Sequence, residues 1–188
     1  MRRLMATPRR IYRIYLQLAN DAQTVRDFQI AQGEPPSSTV SALIAKDRAK
    51  LLARWGEEMA ELCGVLDGTH LDSYLIEATQ TFYWASLYAA SAAVTWESLR
   101  FDELRRAAST AGISTIPELR AAVKRLVGMA PGAAKPEKLF LLWNVADHLY
   151  REKTPVADQW ALEDLMEADL QEMIKRAYLA PILRAVVD

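Results

Sequence analysis

The run from Ala78 to Trp96 carries no charged side chain, and the residue that heads it is a glutamate, Glu77. At 100° per residue, Ile76, Gln80, Tyr83, Trp84, Leu87 and Tyr88 share the side on which Glu77 lies, while Leu75, Phe82 and Ala89 occupy the other. A helix with no polar face is stable in water only when other elements surround it. The rest of the chain is therefore predicted to form a bundle around this segment. The run is long enough to raise a membrane question, but its alanines, serines and threonines, together with Gln80, suit a buried core helix better than a span.

The remaining segments supply that bundle. Ile11, Ile14, Tyr15, Leu18, Ala22, Val25 and Phe28 mark a first amphipathic helix, stopped by the GEPPSS stretch at 33–38. A second helix is expected over 39–66, ending at DGTH, where Gly68 can take a left-handed cap. The third starts near Asp72 or Ser73 and runs to Thr95. Further helices read from WESLRFDELRRAAS, from IPELRAAVKRLVGM with Pro117 in its first turn, from EKLFLLWNVADHLYREK after the PGAAKPEK loop, and from about Ala157 onward, bent or ended at Pro181. No segment alternates at period two, so the fold class is all-α. Residues 1–96 are read as a core with its N-terminal helix, and 97–188 as a helical extension packed on it within one domain.

Composition narrows the function classes. With 188 residues, 51% of them hydrophobic and 25% charged, the chain can bury a substantial core. A net charge of −1 gives no support to binding of a nucleic-acid polymer. A single cysteine, Cys63, excludes an internal disulfide and suits a reducing, cytoplasmic setting. Neither His70 nor His148 sits in a recognisable metal-ligand spacing. The basic opening, MRRLMATPRRIYRIYLQLAN, lacks an uninterrupted apolar core and a small-residue cleavage site, and is read as part of the fold.

Chemistry concentrates around Glu77. On the second helix Leu51, Trp55, Met59, Leu62 and Leu66 form one narrow face. Glu58 lies at its edge, Glu61 on its flank and Glu57 almost opposite, toward water. Glu58, Glu61 and Glu77 on consecutive helices can converge, and converging carboxylates repel unless a hard divalent cation such as Mg²⁺ neutralises them. Lys46, Lys50 and Arg54 read as a basic stripe at i, i+4 and i+8 leading to the same side. Blander readings stand beside these: an ExxE on a solvated face, Glu77 at the head of its helix or paired with Arg54, and the stripe as an ordinary solvated surface.

GEEMAEL, which supplies Glu58-x-x-Glu61, followed by EATQTFYW, with Glu77, Ala78 and Tyr83, resembles the all-α nucleoside triphosphate pyrophosphohydrolases, the MazG-like and phosphoribosyl-ATP pyrophosphohydrolase group. Their signature is an ExxE on one helix and an ExxD on the next, and the resemblance covers about residues 45–94. It departs at Gln80, which stands where the family has its last acid. An amide oxygen still ligates Mg²⁺ but adds no charge. The resemblance implies hydrolysis of the α–β phosphate bond of a nucleotide. Mg²⁺ or Mn²⁺ would be held by Glu58, Glu61, Glu77 and Gln80, with Glu57 or Glu58 as catalytic carboxylate and Lys46, Lys50 and Arg54 on the substrate phosphates. It also implies a homodimer or homotetramer that covers the second face of the third helix; no membrane partner is expected, from the composition of the neutral run. Two rival readings remain: a catalytically silent helical protein that binds a ligand or oligomerises, and an interaction module built on aromatics of the C-terminal half such as Trp143, Tyr150, Trp160 and Tyr178.

Overall fold

The computed structural model describes residues 6–130 and 132–187. Residues 1–5 of the basic opening, Pro131 of the PGAAKPEK loop and Asp188 lie outside the described residues. Among those described, every regular element is helical. In chain order they are α1 (Pro8–Asn20), α2 (Ala22–Ala31), α3 (Ser38–Ile44), α4 (Arg48–Asp67), α5 (Tyr74–Ser91), α6 (Trp96–Leu99), α7 (Phe101–Ala107), α8 (Ile116–Val127), α9 (Pro136–Lys153), α10 (Leu162–Ile174) and α11 (Ala180–Ala185).

Helix α5 is the axis. It packs against α1, α4, α9 and α10, and Phe82, Ala85, Leu87, Tyr88 and Ala89 are wholly buried, with Trp84 nearly so. Its neutral polar residues tolerate burial because they return hydrogen bonds to nearby backbone. Thr81 Oγ1 donates to Glu77 O at 2.7 Å and Ser86 Oγ to Phe82 O at 2.8 Å, while Thr79 Oγ1 donates to Leu165 O at 3.3 Å. Trp143 of α9 donates its indole N–H to Ala78 O at 2.8 Å, and Phe82 meets Trp143 and Phe140 edge-on with centroids 5.3 and 5.4 Å apart. Helices of the same chain cover most of α5, while Ile76 and Gln80 stay exposed and line a groove with Leu75 and Tyr83. No described helix is long and apolar enough to cross a membrane. One core cluster draws on both halves of the chain, from Tyr12 and Trp55 to Phe140 and Met166.

The long helices expected from periodicity are interrupted. The first divides at Asp21 (φ −97°, ψ 10°), whose carboxylate accepts from Gln17 Nε2 at 2.8 Å. The second divides between α3 and α4, where Lys46 turns left-handed (φ 51°) and Asp47 caps α4 by accepting from the Lys50 amide at 3.0 Å. A good N-cap inside a continuous apolar period restarts the helix without disturbing the pattern. The third ends at Ser91 rather than Thr95, which instead caps α6 with Ser98 in a capping box. Pro181 opens α11 at its first turn instead of ending a helix. Helix α8 packs on α4 through Gly56, where a Cβ would stand 2.6 Å from Val127 Cγ2, so only glycine allows this approach without a shift.

One buried polar pair ties α1 to α10. Tyr15 donates its hydroxyl to Asp169 Oδ1 at 2.5 Å, and Asp169 Oδ2 has no hydrogen-bond partner among the described residues. Burial pushes the Asp169 carboxyl up to about 7, against the opposing pull of the Tyr15 hydrogen bond and of Arg176, with Glu172 adding to the rise. Tyr83 of α5 shares the groove in which Asp169 sits. Because the folded value exceeds the unfolded one, charging this group costs stability in full above about pH 7, and the cost fades as the pH falls toward 4. Asp169→Asn keeps an acceptor for Tyr15 and cannot ionise. Urea unfolding is expected to show the variant more stable than wild type at pH 8, with the difference gone by pH 4. The gain is a few kcal/mol at most, since each tenfold change in proton affinity corresponds to ~1.4 kcal/mol.

Candidate metal centre at the head of the hairpin

Helices α4 and α5 form a hairpin closed by residues 68–73. Gly68 takes the left-handed cap (φ 78°), and Gly64 O accepts the amides of Thr69 at 2.8 Å and His70 at 3.1 Å, which folds the turn back over the end of α4. Asp67 Oδ1 accepts the Thr69 amide at 3.1 Å and its hydroxyl at 2.6 Å, and Asp67 Oδ2 accepts from Arg120 of α8 at 2.9 Å. These donors hold the Asp67 carboxyl below its ordinary range. A Cβ on Gly64 would lie 2.7 Å from His70 Cβ, so the missing side chain lets His70 settle against α4. Ser73 then caps α5 by accepting from the Ile76 amide at 3.3 Å, which sets Glu77 in the first turn.

The result brings together groups from both arms and the turn. One ligand atom each from Glu61, His70 and Glu77 lies within 4.8 Å of the others. His70 Nε2 is 3.5 Å from Glu77 Oε1 and 3.1 Å from Asp72 Oδ2. Glu77 is 1% exposed, and its Oε2 has no hydrogen-bond partner among the described residues. Glu58, 3% exposed, stands beside this triad. Its Oε1 accepts from Arg54 Nη2 at 2.8 Å, while its Oε2 has no partner among the described residues. Burial raises the Glu77 carboxyl above its ordinary value, the charges of Glu61 and Glu58 raise it further, and His70 opposes them. Burial raises Glu58 too, opposed first by Arg54. Two buried carboxylates with an orphaned oxygen each, beside a third acid and an imidazole, call for a positive charge. A proton or a divalent cation supplies it. The donor set of carboxylate oxygens and a ring nitrogen fits a divalent metal, whose ligand atoms stand about 3–4 Å apart around ~2.1 Å bonds.

The other expected residues are distributed differently. Glu57 is exposed and pairs with the Arg54 guanidinium, which it shares with Glu58, so it stands outside the converging set. Arg54 also lies over the Trp84 ring, 5.1 Å from its centroid. Lys46 sits in the left-handed link before α4, so the stripe Lys46, Lys50, Arg54 does not share one helix, and Lys50 is exposed. Gln80 is exposed and faces a groove of about 740 Å³ whose walls include Arg54, Tyr83, Trp84, Asp169 and Arg176. Arg54 is shared by this groove and by the acidic cluster. Sequence spacing does not single out His70, because it matches no metal motif; the signal it carries is its position in the DGTH turn, between an ExxE on one arm and a buried glutamate on the other.

Compared with protein-family models, with curated proteins and with solved structures, the chain finds no match in any of the three.

Glu77→Gln removes a charge that the folded state holds at a cost. Without added metal at pH 8, the variant is expected to melt above wild type, a difference that closes as acid protonates Glu77 in both folded and unfolded chains. With Mn²⁺ at a hundred times its dissociation constant the order reverses. Wild type gains about 2.7 kcal/mol and the variant almost nothing, read by thermal melts with and without a chelator.

Proposed function

We propose that the protein is a divalent-metal-dependent hydrolase that cleaves the α–β phosphoanhydride bond of a nucleotide, giving a monophosphate and pyrophosphate. The observation that carries this reading is the convergence of Glu61, His70 and Glu77 at the hairpin head with Glu58 beside them, where the two almost fully buried carboxylates, Glu58 and Glu77, each keep an oxygen with no partner among the described residues. A divalent ion held there supplies polarisation of phosphate oxygens and a more acidic bound water. The chain supplies the remainder. Tyr83 offers an aromatic ring to a base and Arg176 a guanidinium to phosphate within a groove of ligand size, with Arg54, stacked over Trp84, at the edge shared with the acidic cluster. Glu58, buried beside the ligand set with one oxygen on Arg54, is the carboxylate that would take the proton of an attacking water. Gln80, where the resembling family has an acid, lies on the groove wall and contacts ligand rather than completing the charge of the centre.

A second reading has its own observation. Arg54 is already engaged by Glu57 and Glu58, and Gln80 brings no charge, as expected of a helical binding protein that no longer turns its ligand over. A panel of nucleoside triphosphates assayed for pyrophosphate release with Mg²⁺ and Mn²⁺ separates the two. The hydrolase reading expects metal-dependent release that Glu58→Gln and Glu77→Gln each lower by about 10²-fold or more. Saturable nucleotide binding without turnover under every metal would instead establish the silent protein.

A further inference from the structure

We infer that the centre is a mixed nitrogen–oxygen site that selects Zn²⁺ and Mn²⁺ over Mg²⁺, with the imidazole of His70 as the deciding ligand. This deepens the hydrolase reading by naming the class of ion its site holds. It is tested with metal alone, so it stands or falls apart from turnover.

Three features of the hairpin lead there. The first is the ligand set itself: Glu61, His70 and Glu77 bring their ligand atoms within 4.8 Å of one another from α4, the turn and α5. The second is Oε2 of Glu77, a buried acceptor with no partner among the described residues, on a carboxylate whose other oxygen has a histidine nitrogen 3.5 Å away. The third is how closely His70 is held. Gly64 yields the space its Cβ would occupy and the His70 amide donates to Gly64 O at 3.1 Å, which fixes the backbone of the turn; Nε2, 3.1 Å from Asp72 Oδ2, would give up that contact to the ion on ligation. The other histidine, His148, is partly exposed and stands 3.4 Å from Glu152 of its own helix, outside any such group among the described residues.

Ion preference follows from ligand chemistry. Mg²⁺ is a small hard ion that takes oxygen ligands and gives up its waters reluctantly, so an imidazole offers it little. Zn²⁺ and Mn²⁺ accept imidazole together with carboxylate, and affinity rises from Mn²⁺ to Zn²⁺ at a given site. Gln80, exposed on the groove wall, does not contribute the fourth negative charge that an all-oxygen magnesium site would want. His70 fills a ligand position from the turn instead.

The experiment is calorimetric titration of the full chain with Zn²⁺, Mn²⁺ and Mg²⁺ separately, for wild type, His70→Asn, His148→Asn and Glu77→Gln. Wild type is expected to bind one Zn²⁺ and one Mn²⁺ per chain, each at least about tenfold tighter than Mg²⁺. His70→Asn, which keeps a polar side chain in the turn, should weaken Zn²⁺ by about 10–100-fold while changing Mg²⁺ little, and so collapse the ratio. His148→Asn should leave all three unchanged, and Glu77→Gln should weaken all three. Circular dichroism of each variant establishes that it is folded. A Zn²⁺-to-Mg²⁺ ratio that survives His70→Asn, or equal loss in His148→Asn, overturns the inference. Selective binding with no nucleotide turnover would leave it standing and remove only the hydrolase reading.

Discussion

Everything in this structure depends on how a helix without a polar face is made soluble. Four neighbours close around α5, and its threonines and serines are satisfied by backbone carbonyls, so burial adds apolar contact without stranding donors. Glu77 is the exception. It rides into the interior on a helix whose position is fixed by Phe82, Leu87 and Tyr88 behind it, and cannot move to water without unpacking that core. The strain between apolar burial and an ionisable head group is concentrated in the first turn of α5. A strand-and-loop framework would relieve such strain by a small shift, but a helix clamped on four sides passes it to the groups around the carboxylate.

Those groups fall into two layers. Arg54 compensates Glu58 from the groove side, stacked over Trp84, and leaves Glu77 to the hairpin turn. His70 reaches Glu77 because Gly64 clears its path and Asp67, anchored by Arg120, braces the turn against α8. The centre thereby joins three parts of the fold, α4 with α8, the turn, and α5. The groove between α5 and α10 meets it at Arg54.

The helical class, the burial of Trp55, Met59, Phe82 and Trp84, the Gly68 cap and the Ser73 start were all legible in the sequence, because periodicity and capping chemistry act over a few residues. The break at Lys46 was not. Apolar spacing runs through it unchanged, and only the cap by Asp47 marks the restart. The approach of Glu61 to Glu77 follows from the angular spacing of two helices joined by a short turn, with Glu58 buried beside them rather than within the group. His70 lay beyond reach because a turn has no period: where its side chain points depends on the clearance at Gly64 and the cap at Gly68, which are properties of the assembled hairpin. The filling of α5 by α1, α9 and α10 depends on contacts distant in sequence, which no local pattern encodes.

The shortness of the link between Glu61 and Glu77 has a thermodynamic consequence. An ion bridging these residues closes a loop that the α4–α5 packing has already closed, and the entropy of loop closure grows only slowly with length. Cross-linking therefore removes little freedom from the native chain. What ligation would contribute is relief of repulsion among acids, a local gain that would leave the remainder of the bundle free to stand without it. An ion held this way would exchange without unfolding its host, and its occupancy would follow the ions available outside rather than the history of the fold.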